Sequence, residues 1–201
     1  MENKITRLDY KTIVDIIEPN SNVLDLGCAS GELLALLKEI KNVHGQGVEI
    51  DDKAVFSCVE KGLSVFHGDL DSGLKDYSDK SFDYIILNQT MQQLRSPQIV
   101  LDDALRVGKK VIVGVPNFTY YKARIQIFFN GRVPVTPSLP YEWYNTPNIH
   151  LLTIKDFKEF CKKNNIKILK EMYFSNNGKK IITFGLENLF AAEALFVIQK
   201  G

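Results

Sequence analysis

The sequence has few cysteines, and none of them is arranged for disulfide bonding or metal binding. Cys28, Cys58 and Cys161 are odd in number among 201 residues and lie far apart along the chain. They form no Cys-x-x-Cys pair and no Cys/His grouping with the spacing of a zinc site. A chain of this length buries roughly 70% of the surface that its unfolded form exposes, so its core needs no covalent support. We therefore expect a reduced, cytoplasmic setting and no metal.

The sequence also lacks an excess of one charge and any long apolar run. Its 25 Lys and Arg residues nearly balance 24 Asp and Glu residues, which leaves a formal net charge of +1. A protein that binds a phosphate backbone carries a clear positive excess. No apolar run reaches the ~20 residues of a membrane span, and residues 1–10 resemble no targeting segment. Neither nucleic acid nor membrane is expected as the main partner.

What the sequence does contain is a regular alternation of strand and helix patterns. The predicted strands are apolar runs at residues 22–26, 45–50, 63–66, 82–87, 110–115, 166–174 and 194–199. The predicted helices lie between them, at residues 32–40, 53–61, 98–107 and 154–164. Such alternation is typical of a parallel sheet covered by helices on both faces. We find no linker or repeat, and predict a single α/β domain over residues 1–201.

One segment breaks this pattern. Residues 118–147 hold four of the seven prolines, the only tryptophan and seven of the other aromatic residues. A stretch of this composition, without helix or strand periodicity, is typical of a functional loop. We expect residues 118–150 to form a lid over a ligand or a docking surface for a partner.

The clearest chemical pattern is a glycine-rich turn between the first predicted strand and the first predicted helix. Gly27 lets the chain turn close to a ligand, and Gly31 permits close packing where the helix begins. The N–H groups of such a turn favour polar or anionic ligand groups. Glu49, at the tip of the next strand, is placed to accept hydrogen bonds from both hydroxyls of a ribose. The spacing therefore predicts a nucleoside ligand.

The turn does not fit a dinucleotide. Ala29 occupies its middle position, and the glycines follow a Gly-x-x-x-Gly spacing rather than Gly-x-Gly-x-x-Gly. Asp25 lies two residues before the turn, where a carboxylate repels a pyrophosphate but attracts an ammonium group. S-adenosylmethionine, a nucleoside that carries an amino acid, satisfies both ends of the pattern, whereas a nicotinamide cofactor does not.

These residues resemble the motifs of the class I S-adenosylmethionine-dependent methyltransferases. Residues 23–31 are similar to the first motif of that superfamily, residues 47–51 to the second and residues 82–87 to its fourth strand. The resemblance implies a three-layer, doubly wound, Rossmann-like domain with a mostly parallel seven-stranded sheet and an antiparallel last strand. It implies a site for S-adenosylmethionine or S-adenosylhomocysteine at Asp25, Gly27, Cys28, Ala29, Gly31, Glu49, Ile50, Asp69, Leu70 and Asn88. In that superfamily a residue at the position of Asp69 meets the adenine amino group.

A closer resemblance extends over nearly the whole chain. Residues 68–71, 88–92, 115–118, 131–136 and 139–150 are together similar to the MetW family of methionine-biosynthesis proteins. That resemblance implies an association with homoserine O-acetyltransferase as partner. It supplies no methyl acceptor.

The candidate residues for acceptor chemistry are Gln89 and His150. Gln89 follows a predicted strand tip, and His150 lies in an aromatic, polar neighbourhood where it would be a general base. Gln89 is equally compatible with capping the next helix. For His150 the pattern favours a structural bond to a backbone carbonyl over the role of general base. Residues 88–91 differ from the Asn/Asp-Pro-Pro-Tyr/Phe motif of amino-group methyltransferases, which argues against methylation of protein glutamine or adenine.

Two functions follow from these patterns. In the first, the chain binds the cofactor and docks on homoserine O-acetyltransferase, with Tyr141, Trp143 and Tyr144 as anchors. In the second, it methylates a small-molecule acceptor, and the same aromatic residues line the acceptor pocket or shield the sulfonium. The motifs spread over the whole chain favour the first function, and the fold alone favours the second.

Overall fold

The computed structural model describes residues 7–201; residues 1–6, part of the segment interpreted above as unlike a targeting sequence, lie outside it. The strands of the described chain are β1 (Asn22–Leu26), β2 (His44–Glu49), β3 (Ser64–His67), β4 (Phe82–Asn88), β5 (Gly108–Pro116), β6 (Ile166–Phe174), β7 (Lys180–Ile181) and β8 (Glu193–Lys200). The helices are α1 (Leu8–Ile16), α2 (Glu32–Lys41), α3 (Asp52–Glu60), α4 (Pro97–Val107), α5 (Tyr121–Asn130), α6 (Ile154–Lys163) and α7 (Glu187–Phe190), with short 3₁₀ helices at Leu70–Ser72 and Met91–Gln93.

All the strands belong to one sheet in the order β3-β2-β1-β4-β5-β8-β6-β7. Strands β1 to β5 are parallel, and β8 runs antiparallel between β5 and β6. This arrangement confirms the predicted fold class and the antiparallel last strand. The predicted count of seven strands was wrong by one, because β7 pairs antiparallel with the end of β6. Two residues after a turn are too short a strand for an apolar pattern to reveal.

Helices cover both faces of the sheet, because strand side chains alternate between two separate cores. Ile85 and Leu87 of β4 pack with α4 and α6, whereas Tyr84 and Ile86 pack with α1 and α2. The protein is therefore a three-layer sandwich, as expected. The three cysteines are all buried and free.

The segment without periodicity contains one helix that the sequence did not reveal. Helix α5 buries only Ala123, while Phe128 and Phe129 at its end are 82% and 74% exposed. Its apolar residues do not form a single stripe, so the usual helical pattern is missing. The chain from 131 to 153 is irregular apart from an isolated bridge between Thr136 and Leu139.

Residues 7–201 include neither a helix that could span a membrane nor a cluster of side chains that could hold a metal ion. None of the helices described is both long and apolar enough to cross a bilayer. In the same part of the chain, no three His, Cys, Asp or Glu side chains come together in a way that would hold a metal ion.

Candidate functional site

A cleft of about 720 Å³ opens at the carboxyl edge of the parallel strands. Strand β1 lies between β2 and β4, so the direction in which strands are added reverses there, and ligands of open α/β sheets bind at this point. Nine of the ten predicted cofactor residues line the cleft: Asp25, Gly27, Cys28, Ala29, Glu49, Ile50, Asp69, Leu70 and Asn88. Parallel strands bring them together because their carboxyl ends share one edge.

The glycine-rich turn lies directly on β2. The N–H groups of Gly27 and Cys28 both donate to the carbonyl oxygen of Val48, at 2.9 and 3.2 Å. Gly27 has φ of 77°, and even Ala29 is left-handed, with φ of 46°. A Cβ on Gly27 would lie 3.0 Å from the side chain of Thr90. The turn therefore keeps its left-handed conformation despite the alanine in its middle.

Gly31, the tenth predicted residue, packs behind the cleft instead of lining it. It precedes α2 with φ of 74°, and a Cβ there would lie 2.5 Å from Leu63 and 2.8 Å from the Cys58 sulfur. Its role is the close packing that the sequence indicated for the start of the helix. Direct contact with a ligand has no support in this geometry.

Glu49 connects the turn to the end of β2. Its Oε2 accepts a hydrogen bond from the N–H of Ala29 at 2.8 Å, and its Oε1 accepts from Ile50 and Asp51 at 2.8 and 2.9 Å. The turn's N–H at Ala29 is therefore satisfied within the protein, which the sequence did not indicate. A carboxylate has about four acceptor positions, so three backbone donors leave one for a ligand hydroxyl.

Asp25 is the most unusual group in the cleft. Its side chain is only 3% exposed, and no group within residues 7–201 donates a hydrogen bond to its carboxylate. Burial, together with the negative charge of Glu49, raises the pKa of Asp25 to about 7. A buried carboxylate without a partner is costly unless a cation joins it. The cleft thus contains a preformed position for an ammonium group.

The far side of the cleft is formed by the loop after β3. Asp69 accepts a hydrogen bond from the N–H of Asp71 through Oδ1 at 2.9 Å and begins a short 3₁₀ helix. Asp71 in turn accepts from the N–H groups of Arg95 and Ser96 and so ties this loop to the start of α4. The other oxygen of Asp69 has no such backbone bond, so it can accept a hydrogen bond from a ligand amino group.

Three carboxylates of the cleft, all hydrogen-bond acceptors, could hold S-adenosylmethionine at separate places. Asp25 suits the ammonium group, Glu49 a ribose hydroxyl, and Asp69 the exocyclic amino group of adenine. Ile50, whose side chain is 61% exposed at the cleft, offers an apolar surface on which a planar base can pack. Along the cleft, the negative charge of Asp25 would face the positive charge of the ligand, and the carboxylate acceptors would face the ligand's hydrogen-bond donors.

The tip of β4 divides the cleft from a second cavity. Asn88 donates through Nδ2 to Asp9 at 2.8 Å, and its Oδ1 is buried without a hydrogen bond from the residues described. Gln89 has φ of 63° and lines both cavities. Left-handed backbone at a residue other than glycine is strained, and such residues cluster at functional sites. The structure therefore places Gln89, a predicted candidate, where two ligands would meet.

His150, the other candidate, is not brought to the cleft. Its side chain is exposed and lines neither cavity, while its N–H donates to the carbonyl oxygen of Gln92 at 3.1 Å. Tyr141 does line both cavities. Trp143 and Tyr144 line neither cavity; they are 72% and 70% exposed and pack edge to face with ring centroids 5.7 Å apart.

Sequence reasoning missed the contribution of α1. Arg7 and Tyr10 line the cleft, and the Arg7 guanidinium lies 4.1 Å above the Tyr10 ring while it binds Asp9 at 2.7 Å. A usable pattern was present: Tyr10, Ile13, Val14 and Ile17 follow the i, i+3, i+4, i+7 spacing of an amphipathic helix.

Comparison with known proteins identifies the family. The sequence model described as "Methionine biosynthesis protein MetW" matches residues 7–198 of this chain. The chain belongs to the MetW family. A curated MetW relative, the "Bifunctional methionine biosynthesis protein MetXA/MetW" of Rhodopirellula baltica, is 32% identical over an alignment 203 residues long, gaps included, that covers 96% of this chain and 33% of the relative. The resemblance inferred from the motifs is thereby confirmed.

Relatives with another name match a shorter part of the chain. Ribosomal protein L11 methyltransferase of Burkholderia lata is 30% identical over 107 residues, which make up 53% of this chain and 35% of that protein. The chain thus spans about a third of the length of these curated relatives.

Solved structures share the fold. A methyltransferase from Haloferax volcanii, in complex with the Trm112 activator, superposes with a TM-score of 0.70 at 17% identity, covering 96% of this chain and 88% of that chain. A SAM-dependent methyltransferase from Archaeoglobus fulgidus gives 0.68 at 16% identity, covering 96% and 91%. The MetW chain therefore has the fold of the S-adenosylmethionine-dependent methyltransferases.

Proposed function

We propose that this MetW family protein binds S-adenosylmethionine or S-adenosylhomocysteine and docks on homoserine O-acetyltransferase, which it supports in methionine biosynthesis. The observation that carries the ligand assignment is the buried Asp25 carboxylate, which has no hydrogen-bond donor among residues 7–201 and lies beside a left-handed glycine turn. An ammonium group is the part of the ligand that this carboxylate selects.

Each end of the ligand has its own recognition group in this proposal. Asp25 binds the ammonium group, the remaining acceptor position of Glu49 binds a ribose hydroxyl, and Asp69 binds the adenine amino group. S-adenosylmethionine, when bound, supplies an activated methyl group. The protein's own residues bind and orient the ligand and keep the Asp25 end of the cleft free of water.

The partner part of the proposal is supported by the fused relative and by the exposed aromatic side chains. MetXA and MetW are joined in the name of the Rhodopirellula baltica protein, of which this chain matches one third. We infer that the MetXA portion corresponds to the acetyltransferase that the MetW family is associated with. The segment over residues 118–150 presents Phe128, Phe129, Trp143 and Tyr144 with more than two thirds of each side chain exposed. Aromatic residues in such positions are frequent anchors of protein interfaces.

A second candidate function is methyl transfer to a small-molecule acceptor without a protein partner. The observation that favours it is the cavity of about 490 Å³ that adjoins the cofactor cleft at Gln89 and Tyr141. An acceptor there would lie next to the tip of β4, beside the cofactor. Turnover of labelled S-adenosylmethionine with a pool of metabolites separates this function from the first.

The experiment that tests the proposal is calorimetric titration with both ligands, with and without the cognate homoserine O-acetyltransferase. We expect binding that weakens at least about tenfold in Asp25→Asn and in Glu49→Gln, since each removes a charge-assisted contact. Glu60→Gln, at the exposed end of α3, is the matched control for the loss of one carboxylate.

The titration has three informative outcomes. Affinity that changes in the presence of the acetyltransferase supports a ligand-linked partner. Affinity that the acetyltransferase leaves unchanged, with turnover of an acceptor, supports the second function. Equal binding by wild type, Asp25→Asn and Glu60→Gln contradicts the ligand assignment.

A further inference from the structure

The second cavity shares Arg7 with the cofactor cleft but has two carboxylates of its own, Asp9 and Glu193. It is enclosed by α1, by the loops at residues 137–141 and 177–178, and by the first residue of β8, Glu193. Because β8 is antiparallel, its beginning lies at the same edge of the sheet as the ends of β5 and β6, where Glu193 pairs with Pro116 and Phe174. The reversed strand thus places a carboxylate beside the cleft.

The charge of this cavity is negative. Its lining includes Arg7, Asp9 and Glu193, and otherwise uncharged residues. Arg7 is already committed to Asp9, through Nε at 3.2 Å and a second nitrogen at 2.7 Å. No hydrogen bond from residues 7–201 reaches the Glu193 carboxylate. Burial and the charge of Asp9 raise the pKa of Glu193 to about 7, against the opposing effect of Arg7.

An uncharged side chain of the same wall also lacks a donor. Gln92 lines the cavity, is 3% exposed, and its Oε1 has no hydrogen-bond partner among the residues described. Its Nε2 donates to the carbonyl oxygen of Gln89 at 2.8 Å, which fixes the orientation of the amide. Buried acceptors without donors are rare in folded proteins. The Gln92 oxygen is itself buried from the cavity, so the acceptor of this wall that a ligand can reach is the Glu193 carboxylate.

We propose that the second cavity binds the primary ammonium group of a small aliphatic amine, with Glu193 as its counter-ion. An ammonium group donates three hydrogen bonds and accepts none, which matches the unpaired carboxylate of Glu193. A carboxylate or phosphate ligand meets net negative charge there. A divalent metal finds no third ligand with suitable chemistry among residues 7–201. A neutral apolar ligand leaves Glu193 uncompensated.

The second cavity adjoins the cofactor cleft. Gln89 and Tyr141 line both cavities, so an amine held by Glu193 lies beside the ligand of the cofactor cleft. Asp9 also links the two sites, because it accepts a hydrogen bond from Asn88 of the cleft and is paired with Arg7. The inference goes beyond the proposed function and does not depend on it, since Glu193 and Gln92 are not part of the cofactor cleft.

The test compares three probes of equal chain length on the complete protein at pH 8 and constant ionic strength: n-butylammonium, 1-butanol and butyrate. Chemical-shift titration by NMR reports both affinity and location. We expect saturable binding of n-butylammonium that is at least about tenfold tighter than binding of the other two probes. The shifted signals should include those of Gln92 and Glu193.

Variants separate the charge of Glu193 from other effects. Glu193→Gln should weaken n-butylammonium binding at least about tenfold. The affinity of the same variant for S-adenosylmethionine should stay within about twofold of wild type. Glu142→Gln, an exposed carboxylate next to Tyr141 that lines neither cavity, is the matched control and should bind the amine like wild type. At pH 6, where Glu193 is largely protonated beside Asp9 and Arg7, wild type should approach the affinity of Glu193→Gln.

The outcomes distinguish this proposal from the one above. Equal binding of butanol and n-butylammonium by wild type overturns the amine site without requiring any variant to fold. Unchanged amine binding in Glu193→Gln overturns the role of that carboxylate. If wild type does not bind S-adenosylmethionine, the proposed function is contradicted but the proposal of an amine site is not.

Discussion

At the scale of single residues, the cleft buries a carboxyl group, Asp25, whose ionised form destabilises the folded protein. The pKa of Asp25 is about 7 in the folded protein and 3.8 as an unperturbed carboxyl group. Between these two pH values the folded chain holds a proton that the unfolded chain has lost, so stability falls as the pH rises through this range. Glu193, whose pKa is also raised to about 7, acts in the same direction.

The first prediction concerns Asp25→Asn. This variant should be more stable than wild type at pH 8, by up to about 4 kcal/mol, because the amide cannot ionise. The difference should shrink towards pH 4, where the wild-type carboxyl is protonated in the folded state. Urea denaturation at pH 8, 6 and 4 measures it, with Glu60→Gln as control. A variant that is less stable than wild type at pH 8 would show that Asp25 has a stabilising partner.

The same residue should make ligand affinity depend on pH. An ammonium ligand favours the ionised carboxylate, so binding of S-adenosylmethionine should weaken as the pH falls below about 7. In Asp25→Asn this dependence should be lost along with the affinity. Calorimetry at pH 8 and pH 6 provides the measurement, and an identical pH dependence in the two proteins would contradict the assignment.

At the scale of elements, a glycine in β5 fixes the tip of β4. A Cβ on Gly114 would lie 2.0 Å from Oδ1 of Asn88, and the N–H of Gln89 donates to the Gly114 carbonyl at 2.9 Å. Gly114→Ala should therefore displace Asn88, loosen its bond to Asp9, and destabilise the protein by about 1–3 kcal/mol. Thermal unfolding measures the loss.

A second substitution tests the cause. Asn88→Ala removes the atom that the new methyl group meets, so the double variant should lose less stability than the sum of the two single variants. Strict additivity in this double-mutant cycle would mean that Gly114 matters for another reason, such as the conformation of β5 itself.

Elements were predictable where one local pattern determines them. Buried parallel strands such as β4 and β5 read as continuous apolar runs, and their order with the helices determines the fold class. Helix α5 escaped because Phe128 and Phe129 are apolar yet exposed, and β7 because its pairing depends on a turn rather than on burial. Neither element buries an apolar stripe on the sheet, so a short window of sequence contains no periodic signal for it.

The functional residues, like the elements, were predictable only where a local pattern determines their position. Asp25, Glu49 and Asp69 follow successive strands, and parallel strands bring their ends together, so their position could be predicted from the sequence. The position of Glu193 in the second cavity could not, because Glu193 comes to that edge of the sheet only through the antiparallel course of β8. His150 was expected from its aromatic surroundings in sequence, but the chain from 131 to 153 follows no regular element that would determine which side chains face inward.

At the scale of the whole molecule, the ligand cleft and the exposed pair Trp143 and Tyr144 form separate surfaces. Trp143 and Tyr144 lie outside both cavities, whereas Tyr141, only two residues before Trp143, lines both. One short segment therefore joins the ligand sites to the proposed docking surface. A ligand that contacts Tyr141 has a direct structural route to the surface that the partner would contact.

The last prediction tests that docking surface. Trp143→Ala and Tyr144→Ala should each weaken the complex with homoserine O-acetyltransferase by about tenfold or more, as truncation of an aromatic anchor does, and leave S-adenosylmethionine binding unchanged. Phe56→Ala, a comparably exposed aromatic residue on α3 at 69%, is the matched control and should leave the complex intact. If Phe128→Ala instead abolishes the complex while Trp143→Ala does not, the partner contacts α5 and the link through Tyr141 is lost. Surface plasmon resonance with and without S-adenosylmethionine then decides whether ligand and partner are coupled, because reciprocal changes in the two affinities are required of any such coupling.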